Sequence, residues 1–195
     1  MTEIEKLNSL RKTYSFQEPG VVLKNYLELT KVENNLVLEQ RNCKSVRKQM
    51  LNTNVISANE HIDFVKGLKT KNSGYWAVFR NNEILGTINL VNFNTAKNSI
   101  TGGNFASQNL IGSGIGVLLN YYMHLIAFEK IDCDILDAVV HKENRNAIRI
   151  NKAFGAKQIN ERNTELIQFV NLEFYKKNWL DGIKKTTNNL LKYVE

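Results

Sequence analysis

The chain has 195 residues, 43% of them hydrophobic, enough for one domain with a sizeable core, and its two distant cysteines exclude a disulfide framework and a cysteine-rich zinc site. The sequence holds no run of 18 apolar residues, and its polar start MTEIEKLNSLRKT is not a leader peptide, so a protein of the reducing cytoplasm is expected. The formal charge of +7 favours an anionic partner, although its scatter, with much of it in GIKKTTNNLLKYVE, fits a solvated basic surface equally well.

Residues 1–20 read as an N-terminal extension that includes the sole proline, Pro19. VVLKNYLELT reads as a strand, KVENN as a turn and LVLEQRNCKSVRKQML as a helix. SANEHIDFVKGLK is a better helix: Ser57 can cap it, Glu60 completes a capping box, and Ile62, Val65 and Leu68 recur at helical spacing. GYWAVFR and ILGTINLVNFN flank an Asn-Asn turn and predict a hairpin. SITGGNF is a glycine-loosened strand, and a helix over 114–129 follows. CDILDAVVH predicts a buried strand, NRNAIRINKAFG a short helix ending at Gly155, and TELIQFVNLEFYKKNWL a last strand running into a helical tail over 178–195. The order predicts a single α/β domain over 1–195, a mixed, mostly antiparallel sheet flanked by helices. His61, His124 and His141 have no metal-ligand spacing, so no metal is expected.

Chemistry enters at LIGSGIGVLL, where Gly112, Ser113, Gly114, Ile115 and Gly116 join a strand to a helix N-terminus. Backbone amides there lack intrahelical acceptors, the helix dipole is positive, and glycine lets a ligand approach the chain closely. Those properties suit a phosphate. The dinucleotide fingerprint fails because Val117 stands where it needs glycine, and no Gly-Lys-Ser/Thr is present for a P-loop. A turn whose glycines only allow close packing is the plain alternative.

This loop, the hairpin before it and the later run Val140, Asn144, Ala147 and Gly155-Ala156 together resemble the GNAT superfamily of N-acetyltransferases over residues 22 to 180. The superfamily loop begins with a basic or amide residue, which here is Ile111. The resemblance implies acetyl-CoA as co-substrate, held along Phe105, Ile111, Gly112, Ser113, Gly114, Ile115, Gly116, Asn144 and Asn151. Within the superfamily, LVLEQRN, CKSVRKQM and SANEHIDFVKGL are similar to the nucleotide-sugar acetyltransferases of the pseudaminic-acid pathway. That likeness implies Arg41, Met50, His61 and Phe105 as the substrate site, with Arg41 and His61 meeting a diphosphate and Met50 and Phe105 flanking the base. The implied partner is a nucleotide-linked amino sugar of the 4-amino-4,6-dideoxyhexose type, with neither nucleic acid nor membrane; a homodimer stays open. Many relatives put a tyrosine where Asn151 stands, to protonate sulfur, and some a glutamate where Val139 stands. Asn151 can donate a hydrogen bond to the sulfur, and His141 titrates in the useful range as a candidate base. Two other readings remain: a protein N-terminal acetyltransferase of the ribosomal-protein type, and a catalytically silent CoA-binding module.

Overall fold

A computed structural model describes all residues except 17–19, 164–167 and 192–195; Pro19, the TELI start of the expected last strand and the end of the expected tail lie outside the described residues. The first elements are α1 (Glu3–Ser9) and β1 (Tyr14–Phe16), and β1 pairs antiparallel with β2 (Val21–Asn25). The region expected as an extension therefore adds a strand to the sheet.

A helix, α2 (Lys31–Asn42), begins where a turn was expected. Thr30 accepts from the Glu33 amide while the Glu33 carboxylate accepts from the Thr30 amide, a capping box that converts polar KVENN into a first helical turn. The expected helix through 51 is interrupted at Cys43, whose ψ of 135° ends α2 and starts α3 (Lys44–Arg47). Next comes α4 (Ala58–Gly67), capped by Ser57 and Glu60 as expected. Its inward face differs from the expected one: Ile62 is exposed and His61 is buried at 6%. Rotating inward the stripe of His61, Phe64, Val65 and Leu68 adds two rings and two aliphatic side chains to the cluster of Tyr26 and Tyr75.

The hairpin is β3 (Gly74–Arg80) and β4 (Glu83–Asn94), turning through Asn81 and Asn82 at φ 51° and 67°, the left-handed pair that a tight hairpin needs. Then come β5 (Ser99–Ala106) and α5 (Ile115–Leu125), which continues through a π turn to Lys130. β6 (Ile135–His141) and α6 (Arg145–Ala153) follow, and Gly155 ends that helix at φ 80°. A strand that the sequence reading missed, β7 (Lys157–Asn163), precedes β8 (Gln168–Tyr175). KQINERN has no run of alternating apolar residues because it forms the sheet edge. α7 (Lys176–Asn178), a π turn and α8 (Lys184–Leu191) complete the chain. The turn before α8 is anchored: Trp179 is 1% exposed and its indole donates to Glu129 at 2.8 Å.

The sheet order is β1-β2-β3-β4-β5-β6-β8-β7, antiparallel throughout except between β5 and β6. Alternation along the central strands divides two cores. Trp76, Val78, Ile88, Leu90 and Ile100 pack with Leu118, Leu119, Tyr122 and Met123 of α5 on one face. On the other, Ala77 and Phe79 pack with Tyr26, Val37 of α2 and Leu68 just past α4. Each fully buried large side chain contributes about 1.5–3 kcal/mol. The two covers place α5 and α6 behind the sheet and α2 to α4 in front of it. Parallel pairing of β5 with β6 runs from Ser99–Ile135 to Gly102–Ala138 and stops, so Gly103–Ala106 and Val139–His141 splay apart. That opening leaves one edge of each strand unpaired with the other.

Candidate active site

The loop after β5 lies at one side of the splay. Its own hydrogen bonds run from the amides of Leu110, Ile111, Ser113 and Val117 to carbonyls three residues earlier. The amides of Gly112, Gly114 and Gly116 have no acceptor among the described residues. Gly112 and Gly114 hold φ of 92° and 89°, and Gly114 is the uncapped residue before α5. Nothing lies within 4 Å of where a Cβ of Gly112 would stand, so the loop has open space at that residue. Unpaired amides at a positive helix end, with open space at Gly112, fit an anion such as a phosphate. Gly116 has a packing role: a Cβ there would be 3.0 Å from Ile150 Cδ1, so this glycine lets α6 approach α5. Ile111 is 52% exposed and Ser113 Oγ donates to the Leu110 carbonyl, which closes the turn.

Across the splay, Asn144 caps α6 by accepting from the Ala147 amide at 3.1 Å. Asn151 is 6% exposed, and its amide nitrogen donates to the Ala147 carbonyl at 2.8 Å, which occupies one of its two hydrogens. His141 ends β6, accepts at Nδ1 from the Glu143 amide at 3.2 Å and packs edge-on to Phe169. It belongs to the same sheet face as Val139, on the side opposite buried Val140.

In front of the sheet, two of the four expected substrate residues, Arg41 and His61, bear on Tyr26, and a third, Phe105, is joined to it through its strand partner Thr87. The His61 ring centroid is 6.3 Å from that of Tyr26, and Arg41 bears on the Tyr26 phenol electrostatically. Phe105 pairs with Thr87, whose side chain hydrogen-bonds the Tyr26 hydroxyl; burial nevertheless pushes that phenol up. Met50 is set by a different device: α2 and α3 pin the loop that follows it. Arg41 donates to the Asn52 carbonyl at 2.5 Å, and Arg47 donates to the carbonyls of Asn42 and Thr53. The Asn42 side chain bonds both the N–H and the C=O of Ile56. The Met50 amide donates to the Arg47 carbonyl within this loop. Several polar side-chain atoms of this front layer are buried without a hydrogen-bond partner, among them Arg41 Nη1, Ser45 Oγ, Gln49 Oε1 and His61 Nε2. Burial lowers the His61 pKa, so its imidazole is neutral near pH 7 and can hydrogen-bond but adds no charge. Burial first, then the neighbouring Arg47, also lowers the Arg41 pKa, without removing the charge of a guanidinium.

Other residues of this region escaped the sequence reading. Gln40 on α2 accepts at its side-chain oxygen from the Gln108 amide at 2.8 Å, tying the front helices to the glycine loop. Tyr75 and Asn89 face each other across β3 and β4, and the Asn89 hydrogen bond partly offsets the rise that burial imposes on the Tyr75 phenol. The available signal was polar residues at the inward phase of strands otherwise built for a core.

A mixed sheet splayed between β5 and β6, with a glycine turn into the following helix, defines the GCN5-related N-acetyltransferase fold. The chain aligns with such a protein from Brucella melitensis over 92% of its length and 85% of the other, with a TM-score of 0.73 at 11% identity. It aligns equally with spermidine N-acetyltransferase from Vibrio cholerae over 82% and 98%, with a TM-score of 0.74 at 13% identity. No family model matches the chain. It is 34% identical over 131 residues to Acetyltransferase PseH of Campylobacter jejuni subsp. jejuni serotype O:23/36, covering 67% of this chain and 80% of that one. The crystal structure of Campylobacter jejuni N-acetyltransferase PseH with acetyl coenzyme A aligns over 80% and 98%, with a TM-score of 0.64 at 28% identity. The chain belongs to the PseH family of acetyltransferases.

Proposed function

We propose that this protein transfers the acetyl group of acetyl-CoA to the amino group of a nucleotide-linked amino sugar of the 4-amino-4,6-dideoxyhexose type. The observation that carries the substrate class is the pair of buried, unpartnered atoms Arg41 Nη1 and His61 Nε2 beside aromatic surface on the open face of the sheet. Unpaired buried donors and acceptors are costly, and a bound polar ligand relieves that cost. Arg41 supplies the charge for a diphosphate, neutral His61 supplies a hydrogen bond, and Met50 and Phe105 supply apolar surface for the base.

On the donor side, the amides of Gly112, Gly114 and Gly116 hold the pyrophosphate of acetyl-CoA. Backbone N–H groups on the unpaired edge of β5, between Asn104 and Ser107, polarise the thioester carbonyl. Asn151 donates its remaining amide hydrogen toward the sulfur. It cannot deliver a proton, so the proton balance closes through water. Holding amine and thioester in one cleft supplies much of the acceleration. Two unpaired cysteines, Cys43 and Cys133, fit a cytoplasmic protein.

Calorimetry with free UDP, dTDP and GDP tests the substrate class. At least one nucleotide should bind, more weakly as salt rises. Arg41→Ala should weaken that binding by about ten- to a hundredfold, the worth of a charged hydrogen bond, and leave acetyl-CoA affinity within about twofold. Absence of nucleotide binding at millimolar concentration, in folded protein that binds acetyl-CoA and acetylates peptides, would replace this reading with a peptide acetyltransferase.

A further inference from the structure

Asn89 of β4 pairs directly with Gly103 of β5. Its side chain shares the sheet face of Thr87 and Tyr75, the face that also carries Tyr26 and His61. Gly103 is the first residue of β5 beyond the last β6 pair, so this spot is the floor of the splay where it begins. A side chain at 103 would displace the end of Asn89: its Cβ would lie 2.6 Å from Asn89 Oδ1 and 3.7 Å from Nδ2. The Asn89 amide therefore lies across β5 with its oxygen over Gly103. Tyr75 is its cross-strand neighbour and hydrogen-bonding partner. Asn89 is half-buried, and its oxygen has no protein donor among the described residues.

An acetyl acceptor must present a neutral amine with its lone pair aimed at the thioester carbon, so an N–H has to be held from the opposite side. We propose that Asn89 Oδ1 accepts that N–H, with Tyr75 as the positioning residue for the amide and Gly103 as the gap that lets the amide reach the floor of the splay. The inference rests on the acetyl-transfer reading above. The nitrogen lone pair forms the C–N bond, the C–S bond breaks with its electron pair leaving on sulfur, and the proton shed by nitrogen reaches the thiolate through water. An amide oxygen suits the task better than a carboxylate. It accepts the hydrogen bond while stabilising the charged, unreactive ammonium less than a carboxylate would. Val139, the β6 residue just beyond the last β5 pair, adds no charge at this point, so uncharged groups hold the amine and leave its proton to solvent.

Turnover of the full chain with acetyl-CoA and a nucleotide-linked amino sugar tests this. Asn89→Ala should lower kcat about ten- to a hundredfold, the usual effect of losing a reactant's orientation, with acetyl-CoA KM and UDP affinity within about twofold. Gly103→Ala keeps Asn89 and expels its oxygen from the floor, so it should cost as much. The double variant should be no worse than either single one, because both remove the same contact. Tyr75→Phe should cost less and add nothing to Asn89→Ala. Asn89→Asp retains an oxygen at the site, and its charge acting on the bound amine should move the acidic limb of the kcat profile, which reports the enzyme–substrate complex, up by about one pH unit or more. Wild-type kcat in folded Asn89→Ala and Gly103→Ala, or an unshifted profile in Asn89→Asp, overturns the inference and leaves the substrate reading intact. A wild-type protein that binds acetyl-CoA and acetylates no nucleotide-linked amino sugar overturns that reading, and this assignment falls with it.

Discussion

Gly114 carries a left-handed φ of 89° at the mouth of α5, a conformation that costs a residue with a side chain about 1–2 kcal/mol. Gly114→Val should raise acetyl-CoA KM at least about tenfold, since strain at the turn and a side chain at the anion site act together. The measurement is KM beside a melting curve; unchanged KM in folded protein would contradict the phosphate cradle. Asn151 presents a smaller effect. Its alanine variant loses one hydrogen bond to sulfur and should lose about tenfold in kcat, or 1 to 2 kcal/mol. A loss beyond about a thousandfold would mean that Asn151 carries a step not assigned to it here. At this scale Arg41 and His61 entered through the likeness to the nucleotide-sugar acetyltransferases, and the glycine loop through its own spacing; their roles are those proposed above. The sequence hid Tyr75, Asn89 and Gly103, which become one constellation only through the β3–β4–β5 register. Gly116 also changed meaning, because the Ile150 methyl that needs its gap comes from a helix 34 residues later.

At the scale of elements, three helices begin with a capping box, at Thr2, Thr30 and Ser57. Thr30→Ala and Ser57→Ala should each cost about 1 kcal/mol in urea unfolding, while Thr30→Asn should cost almost nothing. An alanine variant as stable as wild type would show that packing alone sets the helix start. Ser57 with Glu60 was readable because an apolar stripe follows it. Thr30 with Glu33 was not, because the polar Glu33, Asn34 and Asn35 outweighed the cap. The break at Cys43 had no local signal, since it is imposed by Asn42 and Arg47 reaching forward to hold the loop at Thr53 and Ile56. The missed strand β7 shows the same limit: an edge strand owes its existence to the backbone of β8 more than to its own side chains.

Across the whole molecule, His124 joins the rear layer. Its Nδ1–H donates to the Asn120 carbonyl at 2.8 Å, and its ring lies among Phe128, Phe154, Phe174 and Trp179, so one side chain touches α5, α6, β8 and the C-terminal turn. Burial lowers its pKa to about 4 from 6.5, against a smaller opposing effect of the Asn120 bond. The folded pKa is depressed, so this stability is fully present above 6.5 and is lost as pH falls toward 4. Urea unfolding near pH 5 should show stability reduced by about 2 kcal/mol from its value near pH 7.5, and His124→Phe should remove most of that dependence. An identical pH dependence in the variant would place the titration elsewhere. The layered α/β architecture was legible in the sequence because the β4–turn–α5 region and the α6 motif keep their order and periodicity. The splay near Asn104 to Ser107 was expected through the family resemblance, and the sheet order was not, since it follows from pairings between distant strands. The central claim, acetyl transfer to a nucleotide-linked amino sugar, is tested most directly by CoA release against a panel of UDP-, dTDP- and GDP-linked amino sugars beside N-terminal peptides. Saturable turnover of one nucleotide-linked sugar and none of the peptides is the predicted result; turnover of peptides alone, or of no amine at all, would contradict it.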